Sequence, residues 1–90
     1  MNQIILSRKA AKQFEMLPIH VARKLLKWSE QVSLFGITEI RKISGYHDEP
    51  LSGDRKGQRS VRLSRAYRAF YIERDDKITI EIIEVNKHEY

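Results

Sequence analysis

The sequence contains no cysteine among its 90 residues, and this absence removes several kinds of chemistry. A chain without thiols forms no disulfide bridge, has no thiolate nucleophile and cannot build a cysteine-based zinc site. No stretch approaches the roughly 20 apolar residues of a membrane span, and the N-terminal stretch has no apolar run of signal-peptide length. We therefore expect a cytoplasmic protein that does not associate with membranes.

Motifs for binding metals and nucleotide phosphates are also missing. His47 and His88 are isolated from each other, and neither a His-x-x-x-His pair nor an acidic cluster accompanies them. The segment GDRKG at 53–57 lacks the spacing and the strand-to-helix context of a glycine-rich phosphate loop. We expect a protein that uses no metal ion and no other cofactor.

Carboxylates are absent from one long segment of an otherwise basic chain. Lys and Arg number 17 against 12 Asp and Glu, a formal charge of +5. Residues 55–72 contain no acid but carry Arg55, Lys56, Arg59, Arg62, Arg65 and Arg68. Such a balance favours nucleic acid or an acidic protein as the partner. Solubility alone does not require that the two signs be separated in this way.

Two helices are indicated in the first half of the chain. Residues 2–6 form a short apolar run that predicts a strand, and Ser7 then occupies a position typical of a helix N-cap. Apolar residues recur with helical spacing up to position 17. Pro18 predicts the start of a second helix and Gly36 its end, with one more helical turn after it. The apolar stripe of the second helix is Val21, Leu25, Trp28 and Val32.

The second half changes to a period of two. Residues 45–58 are rich in glycine, proline, serine and aspartate, and they predict a long loop. Strands are expected at about 59–64, 67–73 and 78–85. The order predicts an α+β fold: a short N-terminal strand, and two helices packed on one face of a small antiparallel sheet with a C-terminal three-stranded meander. We expect a single domain covering residues 1–90.

Four arginines fall within the segment RSVRLSRAYR at 59–68. If the chain turns through residues 64–66, Arg62 lies directly opposite Arg68, and Val61 and Leu63 point to the helix-covered face. Like charges opposite one another destabilise a sheet unless they splay into water or share an anion. The planar fork of arginine suits bidentate binding of phosphate. The pattern leaves two interpretations, a phosphate site or a basic surface without a ligand.

The chain ends in IEVNKHEY, which brings together Lys87, His88 and Tyr90. An imidazole with a pKa near 6.5 is the usual general acid or base at neutral pH. His47 lies in the loop that leads into the basic segment. The alternative interpretations are a frayed polar terminus and a solvated loop histidine.

A cationic sheet face with a proton-transfer group suits the cleavage of RNA without a metal. The 2′-hydroxyl of RNA can attack the adjacent phosphate. An enzyme then has to deprotonate that hydroxyl, neutralise the crowded phosphate and protonate the leaving 5′-oxygen. Arginines aimed at the phosphate would supply about 3–4 kcal/mol each, as oxyanion-type donors do. General acid–base catalysis adds on the order of 10²–10⁴ in rate.

The run EPLSGDRKGQRSVRLSRAYRAFY, followed by ITIEIIEVNKHEY, resembles the RelE/HigB superfamily of toxins from bacterial type II toxin–antitoxin systems. The motif resemblance covers residues 49–90, and the order of elements matches over the whole chain. It implies a ribosome-dependent mRNA interferase, an endoribonuclease that cleaves translated mRNA on the 70S ribosome by the 2′-hydroxyl mechanism. It also implies a cognate antitoxin, which we expect to be acidic or to carry an acidic segment.

The resemblance also implies roles for individual residues. Arg62 and Arg68 match basic residues expected to contact the scissile phosphate, and His88 and Tyr90 resemble closing residues that serve as base, acid or stacking group. These four residues are the predicted catalytic set. The predicted RNA- and phosphate-binding set adds the loop and terminal residues that match more loosely, together with the other arginines of the basic segment: His47, Lys56, Arg59, Arg65 and Lys87.

The chain departs from the family pattern at two places. Ser60 stands where some members carry lysine, and Glu89 separates His88 from Tyr90, so the identity of the general base stays open. Two other functions remain as alternatives. A ParE-like poison of DNA gyrase has the same fold but tends to lack the catalytic cluster. A catalytically inactive relative would only bind RNA or the antitoxin.

Overall fold

The computed structural model describes residues 2–76 and 78–87. The strands and helices follow in the order β1 (Gln3–Leu6), α1 (Arg8–Glu15), α2 (Ile19–Phe35), α3 (Ile37–Ile40), β2 (Glu49–Pro50), β3 (Arg59–Arg62), β4 (Tyr67–Arg74) and β5 (Thr79–Lys87). Short 3-10 helices at Ser44–Tyr46 and Gly53–Arg55 flank β2. Among the described residues, none of the helices has the length and apolarity that crossing a membrane requires. The predicted α+β class is confirmed.

The two main helices begin and end where the sequence indicates. The Ser7 hydroxyl accepts a hydrogen bond from the amide of Ala10 at 3.0 Å and so caps α1. Pro18 precedes α2, and Gly36 ends it with φ of 89°, a conformation that glycine adopts without strain. The Gly36 amide still donates to the Val32 carbonyl at 2.8 Å. The helix boundaries therefore follow from local chemistry.

The sheet is mixed, whereas the sequence pattern suggested an antiparallel one. Its order is β1-β5-β4-β3-β2, and β1 runs parallel to β5, with Gln3 opposite Thr79. The other pairs are antiparallel. The parallel pairing joins strands from opposite ends of the chain, so the short-range pattern contains no signal for it. β2 also pairs with β3 inside the segment predicted as an irregular loop.

The core lies between the helices and one face of the sheet. All four residues of the predicted α2 stripe are at most 1% exposed. The Trp28 ring lies 5.3 Å from the Tyr71 ring on β4. Val61, Leu63 and Ala69 supply the same face of the sheet and are at most 4% exposed. Since side chains alternate along a strand, their neighbours in sequence lie on the opposite face.

Candidate functional site

The hairpin between β3 and β4 places two arginines directly opposite each other. Arg62 pairs with Arg68 across the ladder, and the Leu63 amide donates to the Tyr67 carbonyl at 3.0 Å. The predicted register is therefore confirmed. The turn needs no glycine, because the Ser64 hydroxyl accepts from the amides of Ala66 at 3.2 Å and Tyr67 at 3.1 Å.

The two arginines lie on the face of the sheet opposite the core. The Arg62 side chain forms no hydrogen bond or ion pair with any other residue in the described part of the chain. Arg68 donates to the Ser60 hydroxyl at 3.1 Å and lies 3.5 Å from a carboxylate oxygen of Glu49. Its side chain is 22% exposed and that of Glu49 57%. Because the Ser60 and Glu49 contacts hold one guanidinium while the other is unengaged, an anion can be bound between them.

Glu49 reaches Arg68 because the preceding residue anchors the chain. The Asp48 carboxylate is fully buried and accepts from Arg59 Nε at 2.6 Å and from the Tyr71 hydroxyl at 2.5 Å. His47, just before it, adopts a left-handed conformation with φ of 46°. Consecutive residues point to opposite faces of a strand. Asp48 therefore enters the interior while Glu49 emerges on the arginine face.

A buried network extends from Asp48 along the core face. Arg41 donates to the Tyr71 hydroxyl at 3.2 Å and forms an ion pair with Glu73. Burial and the hydrogen bond to Asp48 raise the pKa of Tyr71, although Arg41 opposes the rise. Burial lowers the pKa of Arg41, but its bonds to Tyr71 and Glu73 outweigh this and raise it. The phenol thus stays protonated and the guanidinium charged, which suits a structural role.

The structure does not bring Arg59 to the arginine face. Arg59 was predicted to bind RNA, but it pairs with Tyr71 in the ladder and its guanidinium holds Asp48. It lies three positions before Arg62, an odd spacing that puts the two side chains on opposite faces. The alternation of side chains along the strand thus already predicts that Arg59 and Arg62 lie on opposite faces of the sheet. Arg59 therefore does not share a face with Arg62 and Arg68, and the RNA-binding role predicted for it stays a prediction.

The remaining predicted residues lie around the site or outside the described part of the chain. The side chains at the loop, the turn and the end of β5 are exposed to solvent: His47, Lys56, Arg65 and Lys87. Lys87 pairs with Tyr67, the residue before Arg68. His88 and Tyr90 lie outside the described residues. Between residues 2 and 76 and between 78 and 87, histidines and carboxylates form no cluster of three able to hold a metal.

Two residues of the site, Glu49 and Ser60, were not predicted from the sequence. Ser60 appeared only as a departure from the family pattern, and Glu49 only as the first letter of the motif run. Their roles depend on β2, where Glu49 pairs with Ser60. A strand of two residues carries no periodicity, so the single available signal was the position of Glu49 at the start of that run.

Neither a protein-family model nor a curated protein matches the sequence, whereas solved structures match nearly its whole length. The YoeB/ParE toxin from Agrobacterium tumefaciens is 17% identical with a TM-score of 0.77, over 97% of this chain and 99% of that one. The RelE–RelB complex from Pyrococcus horikoshii is 17% identical with a TM-score of 0.73, over 96% of this chain and 93% of that one. The YoeB–YefM toxin–antitoxin complex from Staphylococcus aureus is 20% identical with a TM-score of 0.71, over 100% of this chain and 99% of that one. The chain therefore has the fold of the RelE superfamily toxins of type II toxin–antitoxin systems, the family that its sequence resembles.

Proposed function

We propose that the chain is the toxin of a type II toxin–antitoxin system and cleaves translated mRNA on the ribosome without a metal ion. The observation that carries this proposal is the pairing of Arg62 with Arg68 on the open face of the sheet, beside the carboxylate of Glu49. Two guanidinium groups at this spacing suit one backbone phosphate. We infer the ribosome and mRNA as the targets from the family resemblance.

The chemistry needs one base, one acid and a cationic site for the phosphate. The Glu49 carboxylate takes the proton of the substrate's 2′-hydroxyl, whose oxygen then bonds to phosphorus. Arg62 and Arg68 neutralise the charge that accumulates on the phosphate oxygens. The 5′-oxygen leaves with a proton from His88 or Tyr90. The products are a 2′,3′-cyclic phosphate and a 5′-hydroxyl, so atoms and charge balance.

A cognate antitoxin is the second part of the proposal. The structures of similar fold include a YoeB–YefM toxin–antitoxin complex. Arg62 and Arg68 offer a positive surface, and an acidic segment of the antitoxin is suited to cover it. Electrostatic attraction of this kind weakens as salt is added. An affinity that does not change with ionic strength would contradict the acidic character of the contact.

The test is induction of the chain in a growing culture, with primer extension on a translated message. Arg68→Ala should lower cleavage about 10²–10³-fold, the effect of removing one oxyanion-type donor. Arg74→Ala is the matched control, because Arg74 lies on the same strand and face, about 20 Å along it, and pairs with Glu81. Arg74→Ala should cleave like the parent chain.

One comparison keeps a second function in the test. The similar toxin from Agrobacterium tumefaciens carries both names, YoeB and ParE. A ParE-like poison of gyrase would produce broken DNA and intact mRNA after induction. That result, or equal cleavage by the Arg68→Ala and Arg74→Ala variants, would refute the proposed reaction. A chain that neither cuts RNA nor breaks DNA would instead be an inactive binding relative.

A further inference from the structure

A small groove opens beside Arg68 on the face of the sheet away from the core. It has a volume of about 160 Å³ and is lined by Glu49, Leu51, Ser60, Arg68 and Phe70. Pockets for drug-sized ligands occupy roughly 300–1,000 Å³, so this groove has room for little more than one flat ring system. Its lining combines an aromatic ring, an aliphatic side chain and the guanidinium assigned to the phosphate.

Phe70 is fixed in place by a cation on its ring. The Arg55 guanidinium lies 4.2 Å from the ring centroid. Arg55 is itself held by Gln58 Oε1 at 2.8 Å and by Glu84 Oε1 at 2.9 Å. Phe70 lines the groove and Arg55 does not, so part of the Phe70 side chain is accessible from the groove. The phenyl ring is therefore a supported platform with an open side.

The support depends on a carboxylate that is almost buried. Glu84 is 8% exposed, lies opposite Phe70 in the ladder and also accepts from Lys9 Nζ at 3.2 Å and from Asn86. Burial alone raises the pKa of Glu84, but the hydrogen bonds from Arg55 and Lys9 outweigh it, and the pKa is lowered. The carboxylate stays charged at neutral pH and keeps Arg55 over the ring.

We propose that this groove receives one nucleobase of the RNA, stacked on Phe70, while Arg68 holds the neighbouring phosphate. The inference rests on the proposed function and adds a subsite to it. Phe70 and Arg68 are two residues apart on one face of β4, about 7 Å along the strand, similar to the separation of base and phosphate within one nucleotide.

The groove binds the base mainly through its flat face. Every nucleobase has a π face, so stacking on an aromatic side chain tolerates any sequence. The Ser60 hydroxyl is 1% exposed and accepts from Arg68, so it offers a base in the groove little polar contact. Phe70 is thus expected to strengthen RNA binding at this subsite with little choice among bases.

The experiment measures binding of a short 2′-O-methyl oligoribonucleotide that carries 2-aminopurine at successive positions. The 2′-O-methyl group removes the attacking hydroxyl, and 2-aminopurine loses fluorescence when it stacks. We expect quenching at one position with the parent chain. Phe70→Leu should abolish that quenching and weaken binding about 5- to 150-fold, the range of one base–aromatic stack. Phe70→Tyr should restore both, which a purely structural role for the side chain does not predict.

Ile72→Ala is the matched control, since Ile72 is the next residue on the same face of the strand. It should leave quenching unchanged, and urea unfolding of all variants reports their stability. If the parent chain binds and cleaves RNA, and Phe70→Leu quenches 2-aminopurine and binds the oligonucleotide as well as Phe70→Tyr does, the subsite is refuted and the proposed function stands. If the parent chain neither binds nor cleaves RNA, both fall together. Those two failures are thereby distinguished.

Discussion

Replacing Asp48 by asparagine tests the anchor that brings Glu49 to the arginine face. The substitution preserves the shape of the side chain and removes its charge. The carboxylate is fully buried and accepts two hydrogen bonds, from Arg59 at 2.6 Å and from Tyr71 at 2.5 Å. Arg59 has no second carboxylate within the described contacts, and its side chain is only 23% exposed. Asp48→Asn therefore leaves a guanidinium poorly paired.

The size of the effect follows from the two bonds. A hydrogen bond to a charged group contributes about 1.5–3 kcal/mol and a neutral one about 0.5–1.5, so each bond loses about 1–1.5 kcal/mol. The total loss in the free energy of unfolding is about 2–3 kcal/mol. For a domain of this size, 1 kcal/mol shifts Tm by about 4–8 °C. We expect Tm to fall by roughly 10–20 °C.

The assay is urea unfolding followed by the fluorescence of Trp28, whose ring lies 5.3 Å from that of Tyr71. Asp54→Asn is the matched control, since Asp54 is exposed in the same connection and the substitution makes the same change in charge. It should change the stability by no more than about 0.5 kcal/mol. Equal stabilities of Asp48→Asn and Asp54→Asn would refute the reasoning. RNA cleavage should also fall more in Asp48→Asn, because Glu49 loses its support.

Two further predictions concern the N-cap of α1 and the carboxylate of Glu84, which holds Arg55. Ser7→Ala removes the cap of α1 and should cost about 1 kcal/mol in urea unfolding; an unchanged midpoint would contradict the capping role. The pKa of Glu84 is lowered in the folded chain, so its charge stabilises the fold above the ordinary glutamate pKa of about 4.3, and this contribution is lost as the pH falls through the folded value. Glu84→Gln should therefore be less stable at neutral pH by about 1–2 kcal/mol. The difference from the parent chain should shrink below about pH 4, and a constant difference would count against it.

Much of the candidate site follows from short-range patterns. The period of two between positions 59 and 73 placed Arg62 opposite Arg68, and the turn at 64–66 fixed the register. The same period also sends Arg59 to the core face, although its charge suggested otherwise. The role of Ser64 in replacing a turn glycine needed only its own hydroxyl and the amides of Ala66 and Tyr67. Such features depend on neighbours within a few positions.

The helices, the meander and the pairing of the two arginines could be predicted from the order of the amino acids, because caps, amphipathic spacing and hairpin turns act over a few residues. Three other features emerge only in the folded chain: β1 pairs with β5 in parallel, Glu49 lies beside Arg68, and Arg55 lies over the ring of Phe70. These contacts join residues that are 15 to 76 positions apart. Burial and charge in the folded chain select these long-range partners, and no short-range sequence pattern predicts them.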